Sequence, residues 1–80
     1  MKVKVRFFAS LRDITKLDHI DLNVESNSIE SLLQTLCGKY PELNNYTNSI
    51  RIAVNSAYSE KNQNLNENDV VALIPPTSGG

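Results

Sequence analysis

The chain has 80 residues, 40% of them hydrophobic, and a formal net charge of −1. A chain of this length forms one domain, and its charge gives no electrostatic drive toward the phosphates of nucleic acid. One cysteine and one histidine exclude an internal disulfide, a cysteine-based metal cluster and a two-histidine metal site. No apolar run approaches the roughly 20 residues of a membrane span, and we expect no signal peptide before the fold. We therefore expect a soluble, cytoplasmic protein without a bound metal or cofactor.

The first predicted strand covers residues 2–8, where polar and apolar side chains alternate. The apolar set faces the predicted core and consists of Val3, Val5 and Phe7. The opposite face is basic and solvated and carries Lys2, Lys4 and Arg6. Phe8 shares this charged face, which leaves two interpretations. Either the strand bends or bulges so that Phe8 joins the core, or Phe8 belongs to a surface patch that meets a partner.

The other predicted elements follow from apolar periodicity. In chain order they are a short helix at 9–14, a strand at 19–24, a long helix from 29 to 40, a strand at 51–55, a short strand at 57–58 and a final strand at 70–74. Ser28 or Asn27 is expected to cap the long helix, and Pro41 to end it. Residues 44–49 and 59–64 are predicted polar loops.

One long helix and about five strands favour an α+β fold, with the helix across one face of a mixed sheet. If the first and last strands are neighbours they run parallel, which is the β-grasp arrangement. We expect a β-grasp domain at 1–74 and a flexible tail at 75–80.

Two residues with reactive side chains have a structural interpretation. His19 opens a strand beside Asp18 and has no second histidine or cysteine for a motif, so we interpret it as an exposed strand-end residue. Cys37 lies at the edge of the apolar stripe of the long helix, with no histidine or basic residue beside it to lower its pKa. We interpret it as a small buried hydrophobic residue rather than a reactive thiol.

The last six residues are Pro75, Pro76, Thr77, Ser78, Gly79 and Gly80. They follow directly on an apolar strand. The two prolines supply no N–H and hold the backbone near polyproline geometry, so the tail is expected to project. The two glycines carry no side chain and fit a space too narrow for other residues. This pattern suits a carboxylate that is delivered into another protein's active site, although a disordered terminus or a cloning scar gives the same dipeptide.

The chain resembles the sulfur-carrying small subunits of molybdopterin synthase, which are ubiquitin-like β-grasp proteins. The resemblance spans nearly the whole chain, and its matching segments are residues 5–13, 53–55 and 65–80. The aliphatic-Pro-Pro-x-Ser-Gly-Gly terminus is the most specific part. The chain departs from the family pattern at two turns. The family usually has a glycine after the first short helix, where this chain has residues 15–18, and another before the final aspartate, where it has Asn68. Asn68 still tolerates a left-handed conformation.

The resemblance implies that Gly80 carries the chemistry. An E1-like adenylating enzyme uses ATP to convert the Gly80 carboxylate to an acyl-adenylate, and sulfur from a persulfide donor replaces AMP to leave a thiocarboxylate. The tail then enters the active site of the large subunit, in a heterotetramer of two small and two large subunits. There the sulfur is transferred to precursor Z and builds the dithiolene of molybdopterin. The small subunit supplies the reacting atom but no catalytic side chain, and it has no activity alone.

Three residues are candidates for the partner interface. They are Phe8, Tyr58 and Ile74. If strands 1 and 5 are neighbours, Phe8 and Ile74 share one exposed face near the base of the tail.

Other functions remain open at this point. One is a sulfur carrier for thiazole synthesis, with the same chemistry at Gly80 and a different recipient. Another is a ubiquitin-like modifier whose Gly80 forms an amide with a lysine. A third is a β-grasp interaction domain with an idle tail.

Overall fold

The computed structural model describes residues 1–59 and 64–75. Its helices and strands, in chain order, are β1 (Lys2–Phe7), α1 (Ser10–Thr15), β2 (His19–Asn23), α2 (Ile29–Lys39), a 3₁₀ helix (Pro41–Asn45), β3 (Arg51–Val54), β4 (Ala57–Ser59) and β5 (Val70–Ile74). Every predicted strand and helix is present within two residues of its predicted ends. The 3₁₀ helix was not predicted, and its last two residues fall in a segment that we expected to be a loop.

The five strands form one mixed sheet in the order β2-β1-β5-β3-β4. β1 pairs with β5 in parallel, with Val5 opposite Val71, and all other pairings are antiparallel. The predicted neighbourhood of the first and last strands is thus confirmed, and with it the ubiquitin-like β-grasp fold. β5 occupies the middle of the sheet, so the chain leaves the fold from the centre of the sheet rather than from an edge.

One face of the sheet forms the hydrophobic core together with the helices. Alternate residues of the strands point to this face because a strand has a period of two residues. The strand residues of this core cluster are Val3, Val5, Phe7, Leu22, Ile52, Val54, Val71 and Leu73. Helix α2 adds four buried residues to the same cluster, Ile29, Leu32, Leu33 and Leu36. Tyr40, after α2, meets the Phe7 ring edge-on with the ring centroids 6.3 Å apart. The helix therefore covers the inner face of the sheet, as predicted.

Helix α2 begins and ends where its sequence predicts. The Ser28 hydroxyl accepts a hydrogen bond from the Ser31 N–H at 3.0 Å, which satisfies one of the unpaired donors of the first turn. At the other end Tyr40 leaves the helical region before Pro41, because a residue that precedes proline avoids that region. None of the helices within residues 1–59 and 64–75 is long and apolar enough to cross a membrane.

Two turns adopt left-handed backbone at the positions where the resemblance leads one to expect glycine. Lys16 closes α1 with φ 64°, and Asn68 has φ 69° in the turn before β5. Asparagine tolerates the left-handed region because its short side chain can form hydrogen bonds to nearby backbone groups. The lysine side chain does not offer this compensation. The structure thus keeps the loop geometry without the glycines.

Candidate functional site

The tail begins at the centre of the sheet. Pro75 follows Ile74 at the end of β5 and is buried, although the sequence analysis assigned it to the flexible tail. The packed part of the chain therefore extends one residue beyond β5. The other predicted tail residues, Pro76, Thr77, Ser78, Gly79 and Gly80, lie outside the described residues.

The three predicted interface residues lie together on the outer face of the sheet. Phe8 is 36% exposed and Tyr58 is 66% exposed, and Ile74 is half-buried. All three line one shallow depression of about 280 Å³. Phe8 is therefore a surface residue, and the interpretation that placed it in the core is wrong. This depression, with the residues around it, is called the outer-face patch below.

The strand pairing explains why this patch forms. The parallel register sets Arg6 beside Ala72, and the antiparallel register sets Ala53 beside Ala72 and opposite Tyr58. Small side chains, Ala72 on β5 and Ala53 on β3, therefore line the middle of the patch, and larger side chains stand on either side. The larger residues are Arg6 and Phe8 on the β1 side and Tyr58 on the β4 side.

An arginine guanidinium lies over the ring of each of the two exposed aromatic residues, Phe8 and Tyr58. The Arg6 guanidinium carbon lies 5.4 Å from the centroid of Phe8, and that of Arg51 lies 4.5 Å from the centroid of Tyr58. A cation over an aromatic face is attracted by the ring quadrupole. Neither pair was predicted from the sequence. The Arg6–Phe8 pair could have been predicted from the sequence, since residues two apart on a strand share a face. The second joins diagonal neighbours on β3 and β4 and needs the register of that hairpin.

A hydrogen-bond network fixes the other end of the patch. Asp69 is 8% exposed, and its carboxylate accepts hydrogen bonds from Asn55 Nδ2 at 2.9 Å and from the Asn66 N–H at 2.8 Å. The Asn55 side-chain oxygen in turn accepts a bond from the Val70 N–H at 3.0 Å. This network, called the Asn55–Asp69 clamp below, ties the β3–β4 turn to the start of β5. Sequence analysis treated both segments only as turns.

The two residues with reactive side chains lie away from this patch. His19 is exposed at the start of β2, as predicted. Cys37 is half-buried against the core, and burial raises the pKa of its thiol. Within the described ranges no three side chains of histidine, cysteine, aspartate or glutamate are placed to hold a metal ion. The described part of the site thus consists of the outer-face patch and the end of β5. Gly80, the reactive position predicted from the sequence, lies outside the described residues.

Residues 5–80 match the ThiS family. A molybdopterin synthase sulfur carrier subunit from Dictyostelium discoideum is 32% identical, over 96% of this chain and 94% of that protein. Among solved structures, a complex of subunits 1 and 2 of the molybdopterin-converting factor from Helicobacter pylori contains a chain that is 28% identical, with a TM-score of 0.70 and full coverage of both chains. Small archaeal modifier protein 1 from Methanosarcina acetivorans is 26% identical, with a TM-score of 0.85 over 99% of this chain and 96% of that one.

These similarities cover the whole β-grasp domain and the segment that follows it. The chain belongs to the ThiS family, and within that family it resembles the molybdopterin synthase sulfur carrier subunits.

Proposed function

We propose that this chain is the sulfur carrier of a molybdopterin synthase and that the Gly80 carboxylate holds the sulfur as a thiocarboxylate. The observation that carries the proposal is the full-length similarity to named sulfur carrier subunits, combined with a Gly-Gly end that follows the central strand of the sheet. The carrier has one task, which is to present the end of its chain to other proteins.

Activation of Gly80 requires two partner proteins. A carboxylate is a poor electrophile, so an adenylating enzyme first joins it to the AMP part of ATP and releases pyrophosphate. The outer sulfur of a protein persulfide then attacks the acyl carbon, and AMP leaves. A thiol reduces the resulting acyl disulfide by attack on the donor's sulfur, which forms a new disulfide and releases the thiocarboxylate. The two electrons from the thiol reduce the transferred sulfur.

Transfer takes place in the active site of the large subunit. The thiocarboxylate sulfur bonds to a side-chain carbon of precursor Z, and the carbon–oxygen bond at that carbon breaks, with the oxygen protonated as it leaves. Water then hydrolyses the thioester to Gly80, so that the sulfur stays on the pterin and the carboxylate returns for another cycle. Two transfers supply the sulfurs of one dithiolene. A heterotetramer of two small and two large subunits gives each tail its own active site.

The outer-face patch suits the docking step. Ile74 ends β5 and Phe8 stands beside it, so a partner that covers both also covers the base of the tail. From Pro75, the five residues to Gly80 span at most about 17 Å. The partner's active site must therefore open within that distance of the patch, and docking on this face meets that requirement.

Intact-protein mass spectrometry tests the proposal. The chain is incubated with an adenylating enzyme, ATP, a persulfide donor and a thiol, beside a variant that lacks Gly80. We expect the mass shift of one oxygen replaced by sulfur in the full chain only. Addition of the large subunit and precursor Z should then restore the original mass and produce molybdopterin. If the folded chain gains no sulfur, the proposal is wrong.

A second candidate is a protein modifier that forms an amide between Gly80 and a lysine. The similarity to small archaeal modifier protein 1, at 26% identity over nearly the whole chain, favours it. Incubation of the chain in a cell extract that contains ATP distinguishes the two roles, because a modifier then forms a covalent adduct to lysine and a sulfur carrier does not. A carrier for thiazole synthesis would gain sulfur but would not lose it to precursor Z.

A further inference from the structure

The outer face has a positive end that nothing in the described part of the chain neutralises. Arg6 and Arg51 are both exposed, and among residues 1–59 and 64–75 neither guanidinium forms a hydrogen bond or an ion pair. The one ion pair found there joins Arg12 to Asp18 at 3.5 Å. Asp18 precedes β2, whose first residue His19 stands opposite Arg6, and the Asp18 carboxylate pairs with Arg12.

Within residues 1–59 and 64–75, the carboxylates near this face lie at its other end. Asp21 stands opposite Lys4 in the β1–β2 register, and the Glu67 carboxylate accepts a hydrogen bond from the Lys2 N–H at 2.9 Å. Arg6 faces His19 across the same pair of strands, and Arg51 faces Ile74. Among the residues that the structure describes, the positive charge of this face is therefore concentrated at the end where β5 leaves the sheet, although the whole chain is slightly acidic.

The two arginines flank an apolar strip. Arg6 belongs to β1 and Arg51 to β3, on either side of β5, whose outward residues here are Ala72 and Ile74. From the strand spacing and the two-residue offset, their Cα atoms are roughly 12 Å apart. Each guanidinium is held over an aromatic ring, an arrangement that leaves its N–H edges open. A guanidinium presented in this way matches the two oxygens of a carboxylate.

We infer that the outer-face patch binds an acidic protein surface, with partner carboxylates that pair with Arg6 and Arg51 on either side of an apolar contact over Ala72 and Ile74. The inference rests on the proposed function, and it specifies the chemistry of the docking partner. Charge complementarity of this kind accelerates diffusional encounter and selects among partners more than it tightens the final complex.

The test measures association of the chain with the molybdopterin synthase large subunit of the same organism, by stopped flow or surface plasmon resonance. The variant carries Arg6→Glu and Arg51→Glu together. We expect its association rate constant to fall at least about tenfold in about 50 mM NaCl, and we expect the deficit to shrink in about 0.5 M NaCl, where charges are screened. Thermal melts establish that each variant is folded.

Two control variants separate charge from other effects. Lys39→Glu makes the same kind of charge reversal on α2, an exposed position on the opposite layer, and should leave the association rate within about twofold of the original chain. Arg6→Lys with Arg51→Lys keeps both charges but loses the planar fork. It should keep most of the association rate and dissociate faster.

The outcomes distinguish this inference from the proposed function. If the double reversal associates as fast as Lys39→Glu, the acidic-surface inference is overturned, and sulfur loading of Gly80 is unaffected as a proposal. If the original chain does not bind the large subunit at either salt concentration, the inference and the proposed docking both fail. A rate that falls with reversal and recovers with salt supports the inference.

Discussion

The inner and outer faces of the sheet are built from the same strands, but the inner face is buried and the outer face is largely exposed. Phe7 and Phe8 are neighbours in the chain, yet Phe7 is 2% exposed and Phe8 is 36% exposed. On β5, Leu73 is fully buried, whereas Ala72 and Ile74 are only half-buried. The inner face stabilises the fold by removing apolar surface from water. The outer face keeps aromatic and cationic groups available to a partner.

This difference shows why apolar content alone does not identify core residues in a small domain. Both faces contain large hydrophobic side chains, but only one of them is covered by α2. A residue's contribution to stability or to binding therefore depends on which side of the strand it occupies.

The largest effect is expected for Phe7→Ala compared with Phe8→Ala. Truncation of the buried ring leaves a cavity and should lower the free energy of unfolding by about 3–5 kcal/mol. Truncation of the exposed ring should cost about 1 kcal/mol or less. Urea unfolding followed by circular dichroism measures both.

For binding to the large subunit, the exposed ring of Phe8 should matter more than the buried ring of Phe7. Phe8→Ala is expected to weaken binding to the large subunit with the fold intact, and Ile74→Ala should do the same. Leu17 is a matched control, because it is 40% exposed but lies outside the patch. If Phe8→Ala and Leu17→Ala bind equally well, the outer face is not the docking surface.

If Phe7→Ala does not fold, Phe7→Leu replaces it in the unfolding comparison. We expect Phe7→Leu to lower the free energy of unfolding by about 1–2 kcal/mol.

An intermediate effect is expected for the Asn55–Asp69 clamp, which ties the β3–β4 turn to the start of β5. Asp69→Ala leaves the Asn66 N–H and Asn55 Nδ2 without their acceptor and should cost about 1–3 kcal/mol. Asn55→Gly is compatible with the positive φ of 51° and removes the side-chain bonds, although glycine also makes the unfolded chain more flexible. The double variant should cost less than the sum of the two single changes, because both remove one shared interaction. Strict additivity in urea unfolding would contradict the network.

The smallest effect concerns Cys37 and pH. Burial raises the pKa of this thiol in the folded chain, so the folded state keeps its proton at a pH where the unfolded state has lost it. The stability that results is fully present below the unfolded pKa and is lost as the pH rises through the folded pKa. The difference in unfolding free energy between the original chain and Cys37→Ser should therefore decrease from neutral to alkaline pH. A difference that does not change with pH would show that burial leaves the thiol unperturbed.

The local pattern of the sequence determined the elements and the core. Alternation identified Val3, Val5 and Phe7 as buried, helical spacing placed α2, and Ser28 and Pro41 marked its ends. Asn68 also behaved as its chemistry predicts, with a left-handed backbone. These features depend on interactions within a few residues, which a sequence displays directly.

Only the tertiary structure decided what the outer face contains. Phe8 and Tyr58 are far apart in the chain, and the register of β1, β5, β3 and β4 brings them to one depression. The stacking of Arg51 on Tyr58 follows from the same register, and Asp69 is buried where its carboxylate bonds to Asn55, which is distant in the chain. A shift of one residue in any of these strands would send each side chain to the other face. The alternation of a single strand defines two faces, but which of them the helix covers, and which residues from other strands join each, depends on contacts between distant segments.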